Sequence, residues 1–375
     1  MSGTDVYLDF AATSWPKPDV VRTAIDAWYR NSGVSASRGD SARSHDVATA
    51  VQATRQRLAS LCAVPPDRVA FTSGATDALD LALHGCLRPG DRVVTTAAEH
   101  SSVVRPLVEL RTSLGLELEV VPCDAAGVVD PETIARALRG RATRLVVLNH
   151  ASNVTGAVQD AEAVARMAHE HGALLLLDAS QTAGARPLDV GADLLAASAH
   201  KALLGPPGLG FLAAAPGVDL EPTRFGGTGS SIALDRHPRD WPFAFEAGTP
   251  NTPAILGLGA ALDWAASGAR RPLDEAAHRV GTELRAALSA HDSIRVIPSG
   301  SADPLPIVSF THAHLDPAEL GVLLDEAGIV CRSGFHCAPW IHEALGTTGG
   351  GTLRLSAGPW VAEDAPRRVA AALAL

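Results

Sequence analysis

The chain has 375 residues, 46% of them hydrophobic and 19% charged, with a formal net charge of −10. That is a globular composition, long enough for a sizeable core and for two or three domains. The acidic balance argues against nucleic acid or an anionic membrane as partner, and no apolar stretch reaches the roughly 18 residues of a membrane span.

The N-terminus, Met1-Ser2-Gly3-Thr4-Asp5, lacks a charged-then-apolar signal pattern, so a cytoplasmic protein is expected. Tyr7-Leu8-Asp9-Phe10-Ala11-Ala12 reads as a short extended entry, broken by Pro16 and Pro18. Lys17 lies between those prolines and is expected to be exposed. Helices fit at 19–29 and 42–62. From there strands and helices alternate. Short apolar runs bounded by turn signals predict strands at 68–71, 92–95, 118–122, 144–149, 173–178, 194–198 and 209–213. Helices fit between them at 75–87, 101–114, 131–138 and 161–171. Such alternation predicts an α/β fold, with a mostly parallel seven-stranded sheet sandwiched by helices. Residues 223–250 are rich in Gly and Pro with little period and read as a long functional loop. After helices at 253–266 and 274–291, short strands at 294–297, 307–311, 329–331 and 352–355 and two more helices predict a smaller α+β unit. The expected division is a large domain over 17–267 and a small one formed by 1–16 and 268–375.

The five cysteines are odd in number and lack metal-site spacing, so neither a disulfide framework nor a metal site is expected. Cys62, Cys86 and Cys123 sit among apolar neighbours and read as small core residues. Of 31 basic residues only Lys17 and Lys201 are lysine. Arginine is not deprotonated in proteins, so only a lysine could form a Schiff base with an aldehyde cofactor. Lys201 ends Ser198-Ala199-His200-Lys201, just past a predicted strand; a surface loop lysine is the plainer alternative. Asp178 ends the preceding strand, in Asp178-Ala179-Ser180-Gln181, and could equally be an ordinary turn-capping residue. Thr72-Ser73-Gly74-Ala75-Thr76 follows another strand and opens a helix, which suits either an anion site or a simple N-cap. Glu99-His100-Ser101-Ser102 and Asn149-His150-Ala151-Ser152-Asn153 follow two more. Open α/β sheets bind ligands at this rim.

These residues, in this order, resemble the class V, fold-type-I pyridoxal-phosphate enzymes. Cys331-Arg332-Ser333-Gly334-Phe335-His336-Cys337-Ala338-Pro339, with Arg-x-Gly-x-His-Cys, resembles the short-loop group of cysteine desulfurases, as does Phe245-Glu246-Ala247-Gly248-Thr249-Pro250-Asn251. The resemblance runs from Tyr7 to Arg354. It implies that Lys201 carries pyridoxal 5'-phosphate and moves protons at the substrate Cα, and that Asp178 pairs with the ring nitrogen. It implies that His100 stacks on the ring and that Gln181 and Asn153 hydrogen-bond its phenolic oxygen. Ala75, Thr76, Ser198 and His200 match the phosphate cradle. Thr249 would reach the phosphate of a neighbouring subunit, implying a homodimer with shared sites. Arg354 would clamp the substrate carboxylate, unless it is only a strand-edge salt bridge; Arg38 is a second substrate-side candidate. Cys337 would take the substrate sulfur as a persulfide and pass it to an acceptor, a carrier protein or a small-molecule pathway, with Arg332 and His336 as cations that favour the thiolate. Gly334 suits a mobile loop that swings the thiol in.

The expected activity is conversion of L-cysteine to L-alanine. Ala75 stands where the family often has threonine, and Phe10 and Trp340 are larger than its pattern. If they line the approach, the substrate exceeds free cysteine. The competing expectations are a pyridoxal-phosphate C–S lyase acting on a specialised substrate and, more remotely, a nucleotide- or sugar-binding α/β protein without that cofactor.

Overall fold

The computed structural model describes residues 5–36, 41–229 and 235–373. Thirteen strands are present among them: β1 (Val6–Tyr7), β2 (Val69–Thr72), β3 (Arg92–Thr96), β4 (Glu117–Val121), β5 (Leu145–Asn149), β6 (Leu174–Asp178), β7 (Leu194–Ser198), β8 (Gly210–Ala214), β9 (Ile294–Val296), β10 (Ile307–His312), β11 (Ile329–Val330), β12 (Arg332–Gly334) and β13 (Thr352–Ser356).

Seven of them form the main sheet in the order β2-β8-β7-β6-β5-β3-β4. Strands β3 to β7 pair in parallel, while β8 runs antiparallel to both of its neighbours. The strands are apolar on both faces because helices cover both faces. Alternate residues divide the core in two. Val94, Val146, Leu148, Leu175 and Leu177 pack on one side, with Leu58, Ile134, Val164 and Leu258 from covering helices. Val93, Leu145, Val147, Leu176 and Leu194 pack on the other, with Leu79, Leu83, Val103 and Leu107. This is the period-two alternation of a pleated strand. At the β4 edge, Arg92 is only 5% exposed and is met by Glu117 and Glu119.

A four-stranded antiparallel sheet, β12-β13-β10-β9, has its own core of Val308, Phe310, Leu353 and Leu355 under the helices Arg271–Ser289, Pro317–Glu326 and Ala365–Leu373. The entry segment is β1, paired in parallel with β11. Strand β12 was not expected. Arg-Ser-Gly has no apolar alternation, and only pairing with β13 makes it a strand. The first helix ends at Ala27 and continues as one π-helical stretch, Trp28–Ser32. Cys62 and Cys86 are buried as expected; Cys123 is only half-buried against the core. Among the described residues no helix is long and apolar enough to cross a membrane.

The expected long loop is anchored rather than free. Ala244 and Phe245 are buried, and Trp241 lies 4.2 Å from Phe245. Glu246 accepts from the Phe71 amide at 2.7 Å and pairs with Arg55, which is 4% exposed, at 2.7 Å. Removing one partner strands the other charge in a dry site. Glu246→Ala is expected to destabilise the protein by about 3 kcal/mol, read as a lower denaturant midpoint. An unchanged midpoint would show that this pair holds nothing.

Candidate active site

In a parallel sheet the loops that follow the strands converge on one rim. Thr96, Asn149, Asp178 and Ser198 are the last residues of β3, β5, β6 and β7. Strand β8 is reversed, so its first residue, Gly210, lies opposite both Thr72 and Ser198 at the same rim. A Cβ on Gly210 would stand 2.5 Å from the Gly74 carbonyl carbon, so the backbones meet there only because position 210 is glycine.

A cavity of about 210 Å³ opens at this rim. It brings together Lys201, Asp178, Gln181, Asn153 and His100 with Ala75, Thr76, Ser198, His200 and Arg354. Thr249 is exposed and is not part of this cavity. Cys337 is also exposed, but its Sγ lies 3.3 Å from Nη2 of Arg332, which does line the cavity. Arg38 lies outside the described residues.

Each side chain is held locally. Asp178 is 3% exposed, and its Oδ1 accepts from both the amide (2.9 Å) and the hydroxyl of Ser180. The Ala75 amide, at the start of the helix Ala75–Cys86, donates to Ser198 Oγ at 2.9 Å, and Thr76 Oγ1 lies 2.7 Å from Ser102 Oγ. His100 caps the helix Ser101–Leu114. Its Nδ1 accepts from the Ser102 amide at 3.1 Å, so Nε2 carries the hydrogen of the neutral ring. Gln181 donates to the Ala11 carbonyl at 2.9 Å, and Asn153 to the His336 carbonyl at 2.7 Å. Each amide nitrogen keeps a second hydrogen.

Arg354, on β13, is 1% exposed. Its guanidinium donates to the Asn153 carbonyl at 2.9 Å and to Asp9 Oδ1 at 2.7 Å. Its Nε and the Asn153 Oδ1 are buried without a partner among the described residues. A salt bridge is therefore present at Arg354, yet its Nε–H meets no acceptor among the described residues.

Burial lowers the Lys201 pKa. Asp178 opposes that shift, and Arg354 and Arg332 add to it. Burial likewise holds His100 and His200 down at about 4, with the Lys201 charge adding to each, so both rings are neutral near pH 7. Glu99, fully buried behind the rim, is raised to about 8 by desolvation.

Several expectations change. Lys17 is half-buried, not free. Its Nζ donates to the His200 carbonyl at 2.8 Å, which also accepts from the Ser14 amide at 2.9 Å. His336 is not a cation beside the thiol. Burial lowers it to about 2, and its Nε2 is turned to Thr352, 3.1 Å from the carbonyl oxygen. Arg332, whose Nη2 lies 3.3 Å from Sγ, is the cation in contact with it. The Cys337 turn is tied down rather than loose, as the Cys337 carbonyl accepts from the Ser101 amide at 2.7 Å. Phe10 and Trp340 do not line the cavity; Phe10 packs against Gly358 instead. Asp9, Ser180 and Ser102 were missed. Asp9 meets Arg354 across 345 residues of sequence, which no local spacing could signal.

A family model, Aminotransferase class-V, matches residues 6–364. The chain belongs to the class-V aminotransferase family. Among class-V relatives, it is 37% identical over 365 residues to a probable cysteine desulfurase of Methanothermobacter thermautotrophicus, covering 94% of this chain and 89% of that protein. It is 33% identical over 350 residues to a cysteine desulfurase of Klebsiella pneumoniae, covering 89% and 84%. The solved apo cysteine desulfurase from Thermococcus onnurineus superposes with a TM-score of 0.91 at 28% identity, over 98% of this chain and 94% of that one. A cysteine desulfurase from Escherichia coli gives 0.89 at 27% identity, over 100% and 95%.

The neutral histidines have a measurable consequence. His100, His150 and His200 sit at about 4 and His336 at about 2, below their ordinary value of 6.5. As pH falls from 6.5 the unfolded chain binds protons that the native chain refuses, so stability falls. Glu99 acts the other way, since its native carboxyl keeps a proton that the unfolded chain releases above 4.5. Four groups outweigh one, so the unfolding free energy is expected to fall by on the order of 1 kcal/mol per pH unit between pH 6.5 and 5. A flat profile from denaturant titrations would contradict neutral burial of these rings.

Proposed function

We propose that this chain is a pyridoxal-phosphate-dependent cysteine desulfurase that converts L-cysteine to L-alanine and carries the sulfur on Cys337. The observation that carries the reading is the Cys337 thiol beside Arg332, at the edge of a cavity that holds Lys201, Asp178 and a buried arginine. The names of the relatives support it.

The residues present fit the cofactor. One cavity holds an amine, a carboxylate that is only 3% exposed, and a helix start with hydroxyls for an anion. Three buried polar atoms of its lining, Asn153 Oδ1, Arg354 Nε and His336 Nδ1, have no partner among the described residues. When bound, pyridoxal phosphate supplies an aldehyde for an amine and a ring that accepts electron density from the substrate Cα.

The chain's own groups do the rest. Asp178, oriented by Ser180, keeps a proton on the ring nitrogen. Ala75, Thr76, Ser198 and His200 receive the phosphate. Lys201, whose amine is biased toward its neutral form by burial, takes and returns the proton at Cα. Arg354 receives the substrate carboxylate through Nε, which has no partner among the described residues. Arg332 donates to Cys337 Sγ at 3.3 Å and orients the sulfur that attacks as thiolate. That thiolate attacks the substrate sulfur: the new S–S bond forms as Cβ–Sγ breaks, the C–S electron pair stays with carbon, and Cβ takes a proton. Alanine leaves, and Cys337 holds a persulfide for an acceptor.

The homodimer belongs to the same reading. Thr249, exposed and away from its own cavity, reaches the phosphate in a second subunit. The domain division at 17–267 is supported by separate cores, although Ala338, Ile341 and Leu345 pack into the larger one. A cytoplasmic location completes it.

The test is incubation with L-cysteine under reductant. Alanine and sulfide are expected in equal amounts, and pyruvate in place of alanine would overturn the reading in favour of elimination. Cys337→Ala is expected to lose at least about a hundredfold in alanine formation while keeping the visible band of the cofactor. Lys201→Ala should lose that band.

A further inference from the structure

The turn that presents Cys337 is strained and held at every carbonyl. His336 and Cys337 are consecutive non-glycine residues in the left-handed region, at φ 50° and 57°. Such residues cost about 1–3 kcal/mol each and persist only where the surroundings over-determine them. Here three successive carbonyls each accept from a donor outside the turn's strained pair. The Cys337 carbonyl takes the Ser101 amide at 2.7 Å, the His336 carbonyl takes Asn153 Nδ2 at 2.7 Å, and the Phe335 carbonyl takes His342 Nε2 at 3.2 Å beside the Ala338 amide that closes the turn at 2.9 Å.

The first donor is backbone, and the second belongs to the cofactor cavity. His342 is different. It is fully buried, lies outside the cavity and has no part in the chemistry above. A carbonyl only accepts, so Nε2 carries the ring hydrogen. Nδ1 then accepts from the Thr347 hydroxyl at 2.7 Å, and the Thr347 amide returns to the His342 carbonyl at 2.9 Å. The ring meets Phe335 edge-on, with centroids 5.1 Å apart. Both nitrogens are thus spent on fixing one turn.

We infer that His342, oriented by Thr347, is a positioning residue that holds the Cys337 turn in its strained form and so keeps the thiol against Arg332. The role rests on the desulfurase reading for its catalytic meaning, but not for its geometry. Without His342 the Phe335 carbonyl keeps only the Ala338 amide that closes the turn; the left-handed pair loses its outside support there and Sγ shifts from the guanidinium. The sulfur step then suffers while the proton step at Lys201 does not.

The experiment compares His342→Leu with His342→Gln, whose side-chain amide can still donate to the Phe335 carbonyl. Two steps are read separately in the holoenzyme: exchange of the Cα proton of L-alanine into heavy water, and alanine formation from L-cysteine. A third readout needs no turnover: the rate at which iodoacetamide alkylates Cys337, followed by mass spectrometry. His342→Leu is expected to lower alanine formation by on the order of ten- to a hundredfold, with Cα exchange held within about twofold. Its Cys337 alkylation at pH 7 should slow roughly threefold once Sγ loses the Arg332 contact. His342→Gln should recover most of both losses. If His342→Leu is poorly folded, Thr347→Val carries the same expectation in weaker form. Equal loss of exchange and alanine formation, or unchanged alkylation, would overturn the proposal. Failure of the wild-type protein to make alanine would overturn the desulfurase reading alone, since the alkylation comparison still tests the turn.

Discussion

The structure depends on a guanidinium in a place without water. Arg354 is the largest fully buried side chain, and a buried cation is tolerated only when paired and hydrogen-bonded. Its partners come from different parts of the chain. Asp9 belongs to the entry segment, the Asn153 carbonyl to the loop after β5, and the arginine itself to β13. One charge therefore ties the N-terminal segment and the C-terminal sheet to the rim of the main sheet. The entry segment continues the tie, since Ala11 holds Gln181 and Ser14 and Lys17 hold the carbonyl beside Lys201.

Desolvation sets the electrostatic character around that point. The histidines near the rim are driven neutral, and the cations that remain are Arg354 and Arg332. These cannot lose their charge, while the lysine can. Anion recognition and proton transfer are thus divided between two kinds of basic group. A cavity lined by one lysine and two arginines suits that division.

Much of this was legible because rim residues lie within a few positions of an apolar run's end. Asp178 closes β6, Ser198 closes β7 and Lys201 follows three residues on, so locating the strands located the groups. Buried parallel strands are the easiest kind to find, being apolar on both faces. What stayed hidden were contacts made across long sequence separations. Asp9 looks like any acid in an extended entry until β13 arrives beside it. Strand β12 has no apolar pattern and exists by pairing. His336 sits next to the thiol in sequence, but its ring turns away to Thr352. Sequence proximity gave the wrong sign there because left-handed backbone at that position sends adjacent side chains in unrelated directions.

The reversal of β8 bears on the lysine. A parallel connection would have carried the chain from the end of β7 across a face of the sheet to the far rim. The antiparallel return keeps residues 199–209 at the rim, as a short span stitched at both ends to neighbouring strands. An amine on such a span cannot travel with its backbone; its reach is the length of its own four-carbon stem. Whatever it must visit has to come within that radius, so the breadth of the working space is fixed by sheet geometry before any ligand enters.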